Sequence, residues 1–477
     1  MQPLVYSQSE ETCKEVFDLQ RDKTKALRTE SIVKRKERLE KLRDWIHANR
    51  PRIHEAMHAD FRKHPVEVDA IEIFHVLTEI KHALSHLYNW TSHKKVDAPL
   101  SMLGTQSYIQ YEPRGVCLII SPWNYPFSLC VGPLVSAIAA GNAVILKPSE
   151  LTPQVSAVVK HMVEEVFDPS VVSVVEGGVE ISKLLLALPF DHIFFTGSPS
   201  IGKIVMKAAA ENLASVTLEL GGKSPAIITG SATVIEAAQR TAVAKFVNNG
   251  QTCVAPDYVL IDEKIATHFT QALIEQTEKL FLEKDQTFKS SPHYCRIIND
   301  KHFVRLNTLL QETLAQGATL WYGGQADRQD LFLHPTILTD IPRSCRIMDE
   351  EIFGPILPVV TYRTLDDAVA FVNEKPKPLG LYVFSGSQRE QRKILTETSS
   401  GGVCINDSAI HFLHHNLPFG GVNNSGIGKS HGYYGFLAFS NEKPVLKQRN
   451  GLTAIKAFYP PYTKGSKKIM DWFLKLF

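Results

Sequence analysis

Three short segments of the 477-residue chain carry side chains whose type and setting suit covalent chemistry. Asn248-Asn-Gly-Gln-Thr-Cys253 sets a thiol just behind a glycine-containing turn, a placement that can point sulfur into a cleft. Taken alone, such a cysteine is more often a buried structural residue, because free thiols are commonly buried. Glu219-Leu-Gly-Gly-Lys-Ser-Pro225 places a carboxylate at the end of a strand pattern, ahead of two glycines. A Glu beside a glycine turn is ordinarily a surface residue. Facing a cleft and partly desolvated, it gains proton affinity and suits a general base. Ser121-Pro-Trp-Asn-Tyr-Pro126 directly follows an apolar strand pattern. Asn124 there is either a turn residue or an amide donor to a developing oxyanion, at even odds on this segment alone.

Three further segments suit the binding of a phosphorylated, ribose-containing ligand. Phe195-Thr-Gly-Ser-Pro-Ser-Ile-Gly202 reads strand, turn, helix, so Gly197 and Ser198 stand at a helix N-terminus that attracts a pyrophosphate. The spacing is not G-x-G-x-x-G, and many strand-to-helix turns share it. Lys147-Pro-Ser-Glu150 ends another strand pattern, where a Lys and a Glu can hydrogen-bond ribose hydroxyls. A carboxylate there repels a 2′-phosphate. Glu350-Glu-Ile-Phe-Gly-Pro355 offers Glu351 to a ribose and Phe353 as a wall for a nicotinamide.

The elements that must hold these segments are legible in the apolar periodicity. The first hundred residues read as helical: Ser31 caps a segment with Ile32, Leu39, Leu42 and Ile46 on one face and Pro51 just beyond it. The charge run 34–38 is a solvated helix face. A second helix is expected over residues 66–90. From residue 115 to about 226, short apolar strands (115–120, 143–146, 173–175, 192–195) alternate with helical patterns at 154–166 and 201–211, which implies a parallel sheet wrapped by helices. A second α/β region runs from about 222 to 406, and the glycine-rich stretch 419–428 is a loop.

Composition bounds the function. The length predicts two or more domains. With 52 basic and 50 acidic side chains the net charge is +2, which argues against nucleic acid as a partner. Seven scattered cysteines (13, 117, 130, 253, 295, 345 and 404) form no disulfide framework and no zinc-ligand spacing, so no metal is expected and a reducing, cytoplasmic compartment fits. No secretory signal or bilayer-spanning stretch is expected.

Each segment is modest alone. In this order, the conjunction of PWNYP, KPSE, FTGS, LELGGKSP, NGQTC, EEIFGP and LPFGG closely resembles the aldehyde dehydrogenase superfamily, over residues 31–461. The compact N-terminal region, Cys253-Val-Ala-Pro-Asp257 and Tyr459-Pro-Pro461 are similar to the class 3 branch, which includes fatty and aromatic aldehyde dehydrogenases and accepts NAD or NADP. The resemblance implies an α/β aldehyde dehydrogenase-like fold: a Rossmann-type NAD(P)-binding domain (1–106 and 119–221), an α/β catalytic domain (222–425), an oligomerisation arm (107–118 and 426–450) and a tail (451–477). It implies Cys253 as the nucleophile that forms a thiohemiacetal and then a thioester, Asn124 and the Cys253 N–H as oxyanion donors, and Glu219 as the base that activates water. It assigns Trp123, Lys147, Ser149, Glu150, Gly178, Gly197, Ser198, Ile201, Gly202, Leu220, Glu351 and Phe353 to the cofactor, NAD or NADP, and Tyr125 and Phe419 to the aldehyde pocket.

Two departures stand out. Asn423 and Asn424 occupy a loop where many relatives have a further glycine, and the tail is too short for the membrane span of some class 3 members. A CoA-acylating dehydrogenase is disfavoured by Glu219, and a non-catalytic scaffold by the intact trio of Cys253, Glu219 and Asn124. His411, His414 and His415 either border the substrate mouth or form a solvated loop, the latter being favoured. In the tail, Ile469, Trp472, Phe473 and Leu476 fall at i, i+3, i+4 and i+7, a stripe suited to weak peripheral membrane contact or, with somewhat more weight, to packing on the protein or a second subunit. A homodimer is implied, with the Tyr108 region and a segment near Phe436 at its interface.

Overall fold

The computed structural model describes residues 10–475 except 100, 101, 103 and 452. Ser31 caps the helix Ile32–Ala48, accepting a hydrogen bond from the Lys34 N–H. Pro51 lies just beyond that helix, as expected, in the first turn of the next, Arg50–Phe61, where the missing N–H of proline costs nothing. The expected helix at 66–90 forms in three parts: a turn at Pro65–Glu67, a wide π-helical stretch at Val68–Ile73, and Phe74–Thr91. π-helical turns are rare and concentrate at functional sites. This one turns Glu72 and Ile73 inward and leaves Ala70 on its other side.

The strand and helix alternation forms a six-stranded sheet. Its five parallel strands lie in the order Val172–Val174, Ala143–Lys147, Val116–Ile120, His192–Gly197, Ser215–Leu220, with Gly426–Ile427 antiparallel at the edge. Every residue of Val116–Ile120 and Ala143–Lys147 is buried, as continuous apolar runs in a two-sided parallel sheet require. The first three strands in the chain step one way and the fourth returns to the other side of the first. That reversal opens a crevice at the carboxyl ends of the strands.

A second sheet has seven strands in the order Thr319–Tyr322, Thr336–Thr339, Ile356–Tyr362, Tyr258–Asp262, Pro225–Ile228, Gly380–Phe384, Gly402–Ile405, antiparallel at its first pair and parallel elsewhere. One apolar core serves the first sheet, and two more fill the faces of the second.

A third, three-stranded antiparallel sheet pairs Lys94–Val96 with Gln106–Pro113 and Gln106–Pro113 with Ser440–Lys447. The arm expected at 107–118 and 426–450 is therefore drawn differently. Residues 116–118 belong to the central strand of the six-stranded sheet, because Val116, Cys117 and Leu118 are wholly apolar and buried. Gly426–Ile427 closes that same sheet, and Lys94–Val96 joins the arm. Phe436, expected at a subunit interface, is 1% exposed. It packs in the helix Gly432–Ala438 against Trp90 and Tyr111 in the chain's own core. The tail helix Lys464–Leu474 buries no residue, and its Phe473 ring meets Phe458. Leu476 of the expected tail stripe lies outside the described residues. Among the described residues no helix is long and apolar enough to cross a membrane, and no cluster of ligand-type side chains could hold a metal ion.

Candidate active site

The thiol stands where the two large sheets meet. The helix Val234–Phe246 ends in a tight turn at Val247–Gly250, in which Asn248 and Asn249 both take left-handed backbone angles, φ 52° and 56°. Asn tolerates that conformation better than most residues, and here its side chain is used as well. Asn248 Nδ2 donates to the Gln251 carbonyl at 3.1 Å and to the Asn124 carbonyl at 2.9 Å. Gln251 Nε2 donates to the Arg296 carbonyl, and its Oε1 accepts from the Ile298 N–H, both at 3.0 Å. The loop that presents Cys253 is thus fixed by its own amides, which explains the polar composition of Asn-Asn-Gly-Gln-Thr.

Asn124 reaches this loop from the first sheet. Its Nδ2 donates to the Gln251 carbonyl at 3.0 Å, two residues before Cys253. An amide nitrogen carries two hydrogens, so one remains for a ligand. A buried cation that the sequence reading missed holds the Asn124 backbone: Lys63 Nζ donates to the Asn124 carbonyl at 2.8 Å and to Glu72 Oε1 at 3.1 Å. Glu72 Oε2 in turn accepts from the Ser128 N–H at the start of the helix Ser128–Ala140. Lys63 also lies 4.4 Å from the Tyr125 ring centroid. Tyr125 shares a 2.6 Å hydrogen bond with Thr252, the residue before the thiol.

Glu219 sits near the end of Ser215–Leu220, buried, with Oε1 accepting a hydrogen bond from Ser430 Oγ. Burial pushes its carboxyl up to about 7, against the pull of Ser430 and the Lys429 charge. Burial also pushes the Cys253 thiol up to about 12, helped by the negative charges of Glu351 and Glu219. The N–H groups of Cys253 and Val254, directed at the sulfur, pull the other way. Glu351 is raised to about 8 by burial and by Asp257. Its carboxylate lies against the Gly221–Gly222 turn, where a Cβ on Gly221 would stand 2.2 Å from Oε2.

Close backbone approach brings the motif loops together. A Cβ on Gly250 would stand 2.3 Å from the Gly354 carbonyl, so the thiol loop and the Phe-Gly-Pro turn interlock at two glycines. Lys223 and Asp257 pair in the interior, and they bind the same turn: Lys223 donates to the Ile347 and Glu350 carbonyls, and Asp257 accepts from the Ile352 N–H. Phe353, at φ 49°, faces Trp123 edge-on with centroids 5.4 Å apart.

Several of the residues expected to meet a cofactor stand at or just after the carboxyl ends of strands of the six-stranded sheet. Lys147 pairs with Glu150 at 2.8 Å, and Ser149 Oγ accepts from the Leu151 N–H. Ser198 caps the helix Pro199–Glu211, accepting from the Ile201 N–H. Gly202 lets that helix close on Leu220, whose side chain a Cβ would meet at 2.7 Å. Gly178 caps Val179–Leu186, with open space where a Cβ would stand. Two helix N-termini therefore face the crevice, with an open approach and a Lys–Glu pair on the neighbouring strand. These features fit a dinucleotide.

On the opposite side a cavity of about 370 Å³ leads to Cys253 and Glu219. Ala70 and Ile71 of the π-helical stretch, Val243 and Val247, and Ile410 and Leu413 make its wall mostly apolar. Tyr125 and Phe419 line it, as expected. Of the three histidines weighed at its mouth, none lines it; His411 turns toward Cys404, with Nδ1 3.2 Å from Sγ. The lining residues have no motif of their own, so sequence reading had no signal for them.

A thiol and a buried carboxylate at the end of a mostly apolar cavity, beside a parallel sheet with helix N-termini at its strand ends, define an α/β protein equipped for covalent chemistry. The comparisons narrow this. The profile of the aldehyde dehydrogenase family matches residues 4–445. The chain is 45% identical to the 4,4'-diaponeurosporen-aldehyde dehydrogenase of Staphylococcus aureus, over 94% of this chain and 96% of that protein. It is 41% identical to mouse aldehyde dehydrogenase family 3 member A2, over 92% and 90% of the two chains. A solved structure of the substrate-bound state of Staphylococcus aureus AldH superposes with a TM-score of 0.92 at 43% identity, covering 96% of this chain and 99% of that one. The chain belongs to the aldehyde dehydrogenase family, with family 3 members among its relatives, and is an oxidoreductase that oxidises aldehydes.

The electrostatics make a prediction. With its thiol held near 12, Cys253 alkylates through a small thiolate fraction, so its rate with iodoacetamide should rise about tenfold per pH unit up to pH 9. Glu219→Gln removes a negative charge that is ionised above about pH 7, so alkylation should be faster in the variant at pH 8 and equal to wild type below pH 6. Equal or slower alkylation at pH 8 contradicts the assigned coupling.

Proposed function

We propose that the protein oxidises a medium- or long-chain aliphatic or aromatic aldehyde to its carboxylic acid, with NAD as cofactor and NADP also accepted. The observation that carries this reading is the apolar cavity that ends on Cys253 and Glu219. The Staphylococcus aureus relative, named for 4,4'-diaponeurosporen-aldehyde, supports an apolar substrate. Lys147, Glu150, Gly178, Ser198 and Glu351 would hold the cofactor, and Phe353 with Trp123 would bound its ring. When bound, the cofactor is the two-electron oxidant that accepts a hydride from the sulfur-bound adduct.

The chain's own groups do the rest. Cys253 attacks the carbonyl carbon as the thiolate, its proton having passed to water, and the free hydrogen of Asn124 Nδ2 and the Cys253 N–H hold the oxyanion. In a site closed to water these donors act at low dielectric, where they are strongest. After oxidation the acyl group is a thioester on Cys253. Glu219, with its carboxyl near 7, takes a proton from water, and the resulting hydroxide releases the acid. Cys253→Ala should fold, bind cofactor and form no reduced cofactor from aldehyde. Glu219→Gln should still become acylated but hydrolyse the thioester about 10²–10⁴-fold more slowly. Normal turnover in Cys253→Ala, or acyl-CoA as the sole product when CoA is supplied, would sink the assignment.

The arm sheet Lys94–Val96, Gln106–Pro113 and Ser440–Lys447 is proposed as a homodimer contact, since its two outer strands are largely exposed and a small sheet gains stability by docking. Light scattering of the purified protein should give twice the mass of the 53.3 kDa chain; a monomer at micromolar concentration refutes it. The tail helix Lys464–Leu474 buries no residue, with Ile469 and Trp472 exposed beside Phe473, which meets Phe458 and Trp472, and is proposed as a weak contact with a membrane surface. Removing residues 465–477 should lower co-sedimentation with anionic vesicles; equal binding by both forms removes the idea.

A further inference from the structure

Each turnover releases protons: aldehyde, water and oxidised cofactor give carboxylate, reduced cofactor and two protons. On the reading above, one of them passes from water to Glu219, which is 5% exposed. The apolar cavity is no exit while an acyl chain fills it. Beside Glu219, however, lies a second, small cavity of about 10 Å³, lined by Glu219, Ser430, His431, His75, Glu79 and Ser136 among others. That volume suits about one water molecule.

Two of its lining groups begin a stripe. His75, Glu79, His82 and His86 fall at i, i+4, i+7 and i+11 of the helix Phe74–Thr91, a spacing that puts them on one face. The first three are 5%, 4% and 8% exposed, and His86 is at the surface. The rings are close: His75 to His431 4.8 Å, His82 to His415 4.4 Å, and His82 to His86 4.3 Å between centroids. Glu79 Oε2 accepts from the Gly432 N–H at 2.8 Å, which leaves most of its carboxylate for other partners. His431 Nδ1 and His415 Nδ1 are buried without a protein partner, the state expected of groups that bond to water.

We propose that this helix face is the proton exit of the enzyme. Glu219 passes the proton taken from water across the small cavity to Glu79, and His82 and His86 carry it to solvent. In each transfer one O–H or N–H bond breaks as the next forms, with no redox step. The proposal rests on the covalent mechanism above. Burial sets both carboxyls near 7, so transfer between them is nearly level. Burial pushes His75 and His82 down to about 4, so a proton does not stay on them. The titratable groups that share the small cavity with Glu79 are His75 on its own helix and Glu219 and His431 across it, and His82 follows one turn along the same helix face; Ser128 and Ser136 line the cavity from the helix Ser128–Ala140, Ser430 from the loop, and the Lys429 charge acts on Glu219.

Glu79→Gln keeps an acceptor for the Gly432 N–H and removes the titrating group. In a single turnover of cofactor-loaded protein, cofactor reduction should run at the wild-type rate. The acyl adduct on Cys253, followed by intact mass, should then persist about tenfold longer, with a larger solvent deuterium isotope effect on its decay. His82→Gln should lengthen the decay by a smaller factor. Wild-type decay and isotope effect in Glu79→Gln overturn the relay. So does a parallel loss of cofactor reduction and decay, which would make Glu79 a structural cap on Gly432. Absence of any acyl adduct, even in Glu219→Gln, would instead overturn the covalent mechanism itself.

Discussion

The constraint on which the rest depends is the partial desolvation of a thiol and a carboxylate at the seam of two sheets. Both groups are desolvated, and both bind their protons more tightly for it: Cys253 near 12 and Glu219 near 7. Desolvation makes the resting thiol inert and the carboxyl a base matched to neutral pH. It also means that every other polar group nearby must find a partner within the protein. The network of Lys63, Glu72, Asn124, Asn248 and Gln251 answers that demand with five hydrogen bonds across three segments distant in sequence. A buried Lys–Glu pair is weak evidence of stability in general, because desolvation offsets its attraction. Its value here is positional, since the ammonium fixes the carbonyl of the residue whose amide faces the thiol loop.

Interlocked glycines set the second condition. The thiol loop comes from the second sheet and must pass within contact of the turn at residues 350–355, and Gly250 meets the Gly354 carbonyl with no room for a side chain. Left-handed backbone at Asn248, Asn249 and Phe353 accompanies this packing. Such angles cost free energy and persist where surrounding bonds over-determine them. The buried Lys223–Asp257 pair, tied to three backbone groups of the same turn, supplies that over-determination.

These two conditions explain what was legible in the sequence. Strand ends were readable, because a buried parallel strand is a continuous apolar run and the residues that follow it must do the site's work. The runs at 115–120, 143–146 and 192–195 and the Ser31 cap match the strands Val116–Ile120, Ala143–Lys147 and His192–Gly197 and the helix Ile32–Ala48. Long-range partners were not readable. Nothing local says that Lys63 bonds Asn124, 61 positions away, or that Glu79 caps Gly432, 353 positions away. The bounds of the small sheet were not readable for a related reason. Periodicity cannot say in which sheet an apolar run such as 116–118 is placed, and Phe436 reads alike as interface or core until Trp90 and Tyr111 are seen around it.

The site also separates two kinds of surroundings that its chemistry needs at once. On the proposed reading, an apolar substrate requires an apolar wall, and hydrolysis requires water and a route for protons. Around Glu219 the two lie on opposite sides: Ile71, Val243 and Leu413 face the large cavity, while His75 and Glu79 meet it in the small one. His75 and His431 touch both cavities, so they mark the boundary. A wider opening there would let water reach the thioester without passing the base, and an apolar boundary would strand the proton. The helix Phe74–Thr91 satisfies both demands because its neighbouring faces differ, and the π-helical turn before it carries Ala70 and Ile71 to the apolar side without disturbing the titratable stripe.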